Sequence, residues 1–218
     1  NTSRCSNNQH LLYILRSDMM YKVLSSNHSA DQASRQTQEH INKLQMWLAK
    51  WKICINETKS AHITFTLREG TCPPIYLNNV QIPKQNIVKY LGLHLDSRLT
   101  WKSHIKTKKQ QIMIKMKEFD WLLRKKSKLT VENKLLLYKS IIKPIWTYGI
   151  ELWGCAYKSN IAIMQRTQSK ILRTILNSPW YVTNESIHSH LKMKTVHLTF
   201  QESMKNTNAN WTHIRTPL

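Results

Sequence analysis

Near residue 96 the hydrophobic pattern changes period, and that change sets what the chain is able to form. Before it, a single helix-like stripe is followed by short β-branched runs; after it, apolar residues recur every three or four positions to about residue 178. From Asp31 onward, Thr37, Ile41, Leu44, Leu48 and Trp51 fall on one helical face, which predicts a helix over 31–50. The stretch WKICINETKSAHITFTLREG then predicts strand, turn and strand around Asn56-Glu57-Thr58, ending at Gly70. Two more short strands are expected at Ile75 to Val80, with its Asn78-Asn79 pair, and at Val88 to Leu95. Beyond Asp96 to Thr100, one stripe is formed by Ile105, Ile112, Met116, Phe119 and Leu123. Thr130 is placed to cap a second helix, with Glu132 in its first turn and Val131, Leu135, Tyr138 and Ile142 inward as far as Pro144. Ile161, Met164, Gln168, Ile171 and Ile175 line a third helix. Helices of this length on short connections pack antiparallel. The expected class is therefore α+β: a helix on a small antiparallel sheet over 31–96, then an all-helical bundle over 97–180, with 1–30 unassigned and 181–218 as a carboxy-terminal tail.

The charge narrows the partners. Against 33 Lys and Arg there are 12 Asp and Glu, a formal charge of +21, far beyond what solubility requires. Lysine and arginine that neutralise phosphates release condensed counterions, so nucleic acid is the leading partner. Binding to a membrane surface would concentrate the charge on an amphipathic helix, whereas here it is spread through strand-like and helix-like segments. No apolar run approaches the roughly 18 residues of a spanning helix, and the amino end lacks a signal-peptide pattern. Cys5, Cys54, Cys72 and Cys155 form no CxxC pair, which argues against a zinc site or a disulfide framework. A cytoplasmic or nuclear protein with reduced thiols, not a secreted one, is expected. A start on Asn1 and not on Met fits a fragment.

Four phrases, WLAKWKICINETKSAHITF, VKYLGLHLDSRLTWKSHI, KLLLYKSIIKPIWTYGIELWG and MQRTQSKILRTILNSPWYVTNESIH, together span about residues 31–198. In order and spacing they resemble the jockey group of non-LTR retrotransposon reverse transcriptases, which are RNA-directed DNA polymerases. The resemblance implies that 31–68 is the end of the polymerase palm, carrying an Asn-x-x-Lys element at Asn56 and Lys59. It offers Lys59 as proton donor to the departing pyrophosphate, whose oxygen needs its charge neutralised; a solvated turn lysine is the plainer reading. Residues 87–95 resemble the primer-grip hairpin with Tyr90, Leu91 and Gly92 at its tip, where a glycine admits the primer backbone closely. The bundle after Trp101 resembles the thumb, implying contact with RNA:DNA or RNA duplex.

Between Arg98 and Lys128 stand eleven basic residues and two acidic ones. Lys102, Lys106, Lys109, Arg124, Lys125 and Lys126 are the expected phosphate contacts, with Lys108 and Lys115 in the same run. A-form duplexes are read by shape, phosphate and 2′-OH, which a basic surface suits. The eight tryptophans mostly sit in helical stripes or beside Pro and Gly turns, so core burial is expected of them and none is assigned to base stacking.

The family's nucleotidyl transfer uses Mg²⁺ held by carboxylates. Its paired aspartates should fall shortly before Leu24-Ser25-Ser26, but the chain reads SDMMYKVLSS, with Met19 and Met20 about where the pair is expected and Asp18 alone nearby. A thioether does not replace an anionic oxygen at Mg²⁺. No metal site and no cofactor are therefore expected in this chain, and primer-template binding without catalysis is the expected function. Two alternatives stay open: one part of a complete polymerase, active when joined to an upstream region, or a non-catalytic protein-interaction relic. A nuclease is disfavoured, since His104, His188, His190 and His197 have no acidic partner at ligand spacing; His188 and His190 are expected at the surface.

Overall fold

The expected first helix is present in the computed structural model, which describes residues 9–16, 20–27, 29–66, 72–124 and 127–214. It runs Ala30–Lys50 (α1), burying Ala33, Thr37, Ile41 and Leu48. The helix stops because Lys52 takes a left-handed backbone (φ 55°) and the Ile53 N–H turns back to Leu48 O at 2.9 Å, satisfying a last-turn carbonyl. The expected strand at WKICI is therefore absent: its first residues belong to this cap, and a short 3₁₀ turn, Glu57–Lys59, follows.

Residues 9–16 and 20–27, unassigned from sequence, pair as the antiparallel strands β1 (Gln9–Arg16) and β2 (Met20–Asn27). β3 (Ala61–Phe65) joins the free side of β1, giving the order β2-β1-β3. Where one strand was expected at 75–80, β4 (Tyr76–Leu77) and β5 (Val80–Gln81) make a tight hairpin. Asn78 and Asn79 supply its turn at φ 50° and 61°, the conformation asparagine tolerates best after glycine. The polar side of α1 grips this hairpin: the Gln38 amide donates to Tyr76 O and accepts from Tyr76 N, both at 2.9 Å. Beneath it Ala33, Ile41, Ile75, Leu77 and Ile82 form one apolar cluster. A second cluster, Ala61, Ile63 and Val88 with Phe65, Tyr90 and Leu95, packs the hairpin β6 (Ile87–Tyr90) and β7 (Leu93–Asp96) on β3.

The chain divides into two units, residues 1–100 and 101–218. The described secondary structure of the second is all helical: α2 (Lys102–Glu118), α3 (Asp120–Leu123), α4 (Val131–Leu137), α5 (Lys143–Thr147), α6 (Ile150–Trp153), α7 (Lys158–Leu176), α8 (Asn184–His190) and α9 (Val196–Ile214). Thr130 caps α4 as its sequence implies, accepting from Asn133 N. The helix expected to end at Pro144 instead continues through a π turn, Tyr138–Ile142, with Pro144 in the first turn of α5; the wider turn accommodates the missing N–H. Ile105, Ile112, Tyr138, Ile142, Trp146, Met164 and Leu172 fill the core. The carboxy-terminal tail is also not a tail. Thr183 caps α8, and α9 packs on α6 and α7.

Candidate nucleic-acid interface

In the first unit, the Asn-x-x-Lys element is a turn with a clear local cause. The Asn56 side chain accepts from Lys59 N at 3.2 Å, so the asparagine shapes the 3₁₀ turn and leaves Lys59 exposed at its end. Tyr90, Leu91 and Gly92 sit together on the β6–β7 hairpin. Leu91 and Gly92 both have positive φ (46° and 76°), giving the type of turn that matches strand twist. A leucine in that conformation costs about 1 kcal/mol, and its side chain is exposed. The hairpin's far end is tied down by Asp96, whose carboxylate accepts from Thr100 N and Oγ1 at 2.9 and 2.8 Å. This acid is committed to a turn.

In the second unit, the basic residues of α2 separate into different roles. Lys102, Lys106 and Lys109 are exposed and lie at i, i+4 and i+7, one face of the helix. Lys108 is instead buried, its Nζ 5.3 Å from the centroid of the Tyr148 ring, a cation–π contact. Lys115 pairs with Glu118 and Arg124 with Asp120, each at 2.7 Å, so Arg124 has part of its charge answered on its own turn. Lys134 is buried, donating to Arg124 O at 2.9 Å. Lys125 and Lys126 lie outside the described residues. Between α2 and α7 a cleft of about 310 Å³ has Met113, Met116, Ile163 and Ile171 in its lining, with Lys109, Arg166 and Lys170. Arg166 and Lys170, both exposed, extend the positive surface onto α7, and nothing in their sequence neighbourhood marked them.

Several other expectations change with the geometry. His188, expected at the surface, is buried: its Nδ1 donates to Met193 O at 2.9 Å and its Nε2 lies 3.1 Å from the Gln165 amide. It is a satisfied core histidine joining α7 to α8. His104 is buried between Trp101 and Trp153. Burial accounts for Trp101, Trp146 and Trp153, but Trp47, Trp51 and Trp180 are exposed, Trp180 at 90%. The Met19 and Asp18 positions of the degenerate catalytic turn lie outside the described residues, while Met20 opens β2 opposite Arg16. Among the described residues no three of His, Cys, Asp and Glu converge on a metal position, and no helix is long and apolar enough to cross a membrane.

The chain is 40% identical over 159 residues to the probable RNA-directed DNA polymerase of the X-element transposon of Drosophila melanogaster, covering 73% of this chain and 18% of that protein. It is 36% identical over 171 residues to the RNA-directed DNA polymerase of the mobile element jockey of the same organism, covering 78% and 19%. Against the probable polymerase of transposon BS, also from Drosophila melanogaster, identity is 35% over 176 residues, or 80% and 19%. No protein-family profile matches the chain, and no solved structure matches it significantly. The chain spans about a fifth of the length of these relatives. Over some three-quarters of its residues, then, this chain is similar in sequence to one segment, about a fifth, of the RNA-directed DNA polymerases of the jockey, X-element and BS mobile elements.

Proposed function

We propose that residues 101–218 hold an RNA:DNA or RNA duplex by its phosphates, as the thumb of such a polymerase, and that the Tyr90-Leu91-Gly92 hairpin is its primer grip. The carrying observation is the exposed row Lys102, Lys106 and Lys109 on α2, extended onto α7 by Arg166 and Lys170 about the cleft. Phosphate contacts of this kind position a duplex and carry no sequence information, which suits an enzyme that must copy any template. Lys59 stays a turn lysine in this reading. In the complete enzyme Mg²⁺ would supply charge neutralisation at the reacting oxygens; in this reading the present segment contributes duplex binding.

Replacing Lys106 and Lys109 together by glutamate tests the assignment, because both side chains are exposed and the fold does not depend on them. Affinity for an RNA:DNA duplex should fall at least about tenfold, with a salt slope shallower by about two. Unchanged affinity with unchanged slope would remove α2 from the interface.

A further inference from the structure

The aromatic pair at the end of α7 is built in a way that core packing does not explain. α7 closes on Asn177 in a left-handed conformation (φ 49°), with Ser178 N bonded to Arg173 O at 3.0 Å. The next four residues form a β-turn closed by Val182 N to Pro179 O at 3.3 Å, so Trp180 and Tyr181 are its two central residues. The Arg173 guanidinium donates to Pro179 O at 2.7 Å, to Val182 O at 2.8 Å and to Asn184 Oδ1 at 2.9 Å. One side chain thus fastens both shoulders of the turn and the start of α8. On that fixed turn Trp180 is 90% exposed and Tyr181 69% exposed. Their rings meet edge to face, 6.0 Å apart at 80°, and both stay largely in water.

We propose that Trp180, supported by Tyr181, is a stacking platform for an unpaired nucleobase of single-stranded RNA or DNA. This deepens the nucleic-acid reading above and rests on it for the class of partner. A flat aromatic face in water on a rigid turn is what sequence-tolerant base stacking uses. The acceptors of Arg173 are two carbonyls and an amide oxygen, all neutral, so its positive charge stays available beneath the turn for the phosphate of the stacked nucleotide. Residues 166–194 hold five Lys and Arg against Glu185 alone. The same turn borders a cleft of about 380 Å³ lined by Asn177, Ser178, Ser186 and His190 beside Pro179 and Val182, which offers polar groups to a base edge.

Binding of the full chain by fluorescence anisotropy tests the platform with three labelled probes: a single-stranded RNA, a blunt RNA:DNA duplex, and that duplex with a single-stranded overhang. Trp180→Ala should weaken the single strand and the overhang duplex about tenfold, leave the blunt duplex unchanged, and leave the melting temperature unchanged because the side chain is in water. Trp180→Phe should restore most of the loss. If Trp180→Ala binds all three probes as the original chain does, or loses equally on all three, the platform is wrong. Failure of the blunt duplex to bind, with single-strand binding still dependent on Trp180, would sink the thumb reading and spare the platform.

Discussion

At the scale of single residues, the most informative side chains are those whose chemistry serves the backbone. Asn56 belongs to the family's Asn-x-x-Lys phrase, yet its oxygen is spent on the Lys59 N–H. Asn56→Ala should therefore cost about 1 kcal/mol of stability in denaturant unfolding, and Asn56→Asp should retain most of it; no loss would free the asparagine for another role. His62 is buried in β3, and its Nδ1 donates to Ile82 O at 3.2 Å. Burial holds its imidazole below the ordinary 6.5, the Lys84 charge adds to this, and the bond to Ile82 opposes it. The unfolded chain thus takes up a proton that the folded chain refuses. That contribution is complete above pH about 6.5 and is lost as pH falls below it. His62→Gln should flatten the decline in the denaturant midpoint between pH 7 and pH 5.5, and an equally steep decline would clear His62 of it. Other residues were beyond sequence reading: His188 looks polar in the string because its partners Met193 and Gln165 come from other turns.

Elements were legible where amphipathic period is strong and obscure where the backbone does something residue types do not announce. α1 and α7 follow their stripes closely, and Thr130 and Asn78-Asn79 give their cap and turn away. β1 was hidden because its run LLYIL has no period of two, which leaves strand and helix indistinguishable by periodicity. WKICI misled because Lys52, not a glycine, takes the left-handed cap position. α9 escaped notice among polar residues, although it docks on α6 through a specific contact: a Cβ at Gly154 would stand 2.2 Å from Phe200 Cδ2. Gly154→Ala should cost about 1–3 kcal/mol by overpacking, and Phe200→Leu in the same chain should recover part of it. Equal thermal unfolding of Gly154→Ala and the original chain would show that α9 docks without this contact.

For the molecule as a whole, composition pointed to nucleic acid and the four phrases pointed to a family it resembles, but neither could tell which cations face outward. Lys102, Lys106 and Lys109 do, Lys108 and Lys134 are buried, and Lys115 and Arg124 are paired. The surface that results is smaller than the count of +21 suggests, and it gains Arg166 and Lys170 from a helix first read for its apolar stripe. The most direct measurement is the affinity of the purified chain for an RNA:DNA primer-template across a salt series, with double-stranded DNA and single-stranded RNA beside it. A duplex held by these five cations should bind with a log–log salt slope of about −4.5, and the A-like heteroduplex should be preferred over B-form DNA. Binding that ignores salt, or fails to distinguish the duplexes, would contradict the assignment of this segment to primer-template binding.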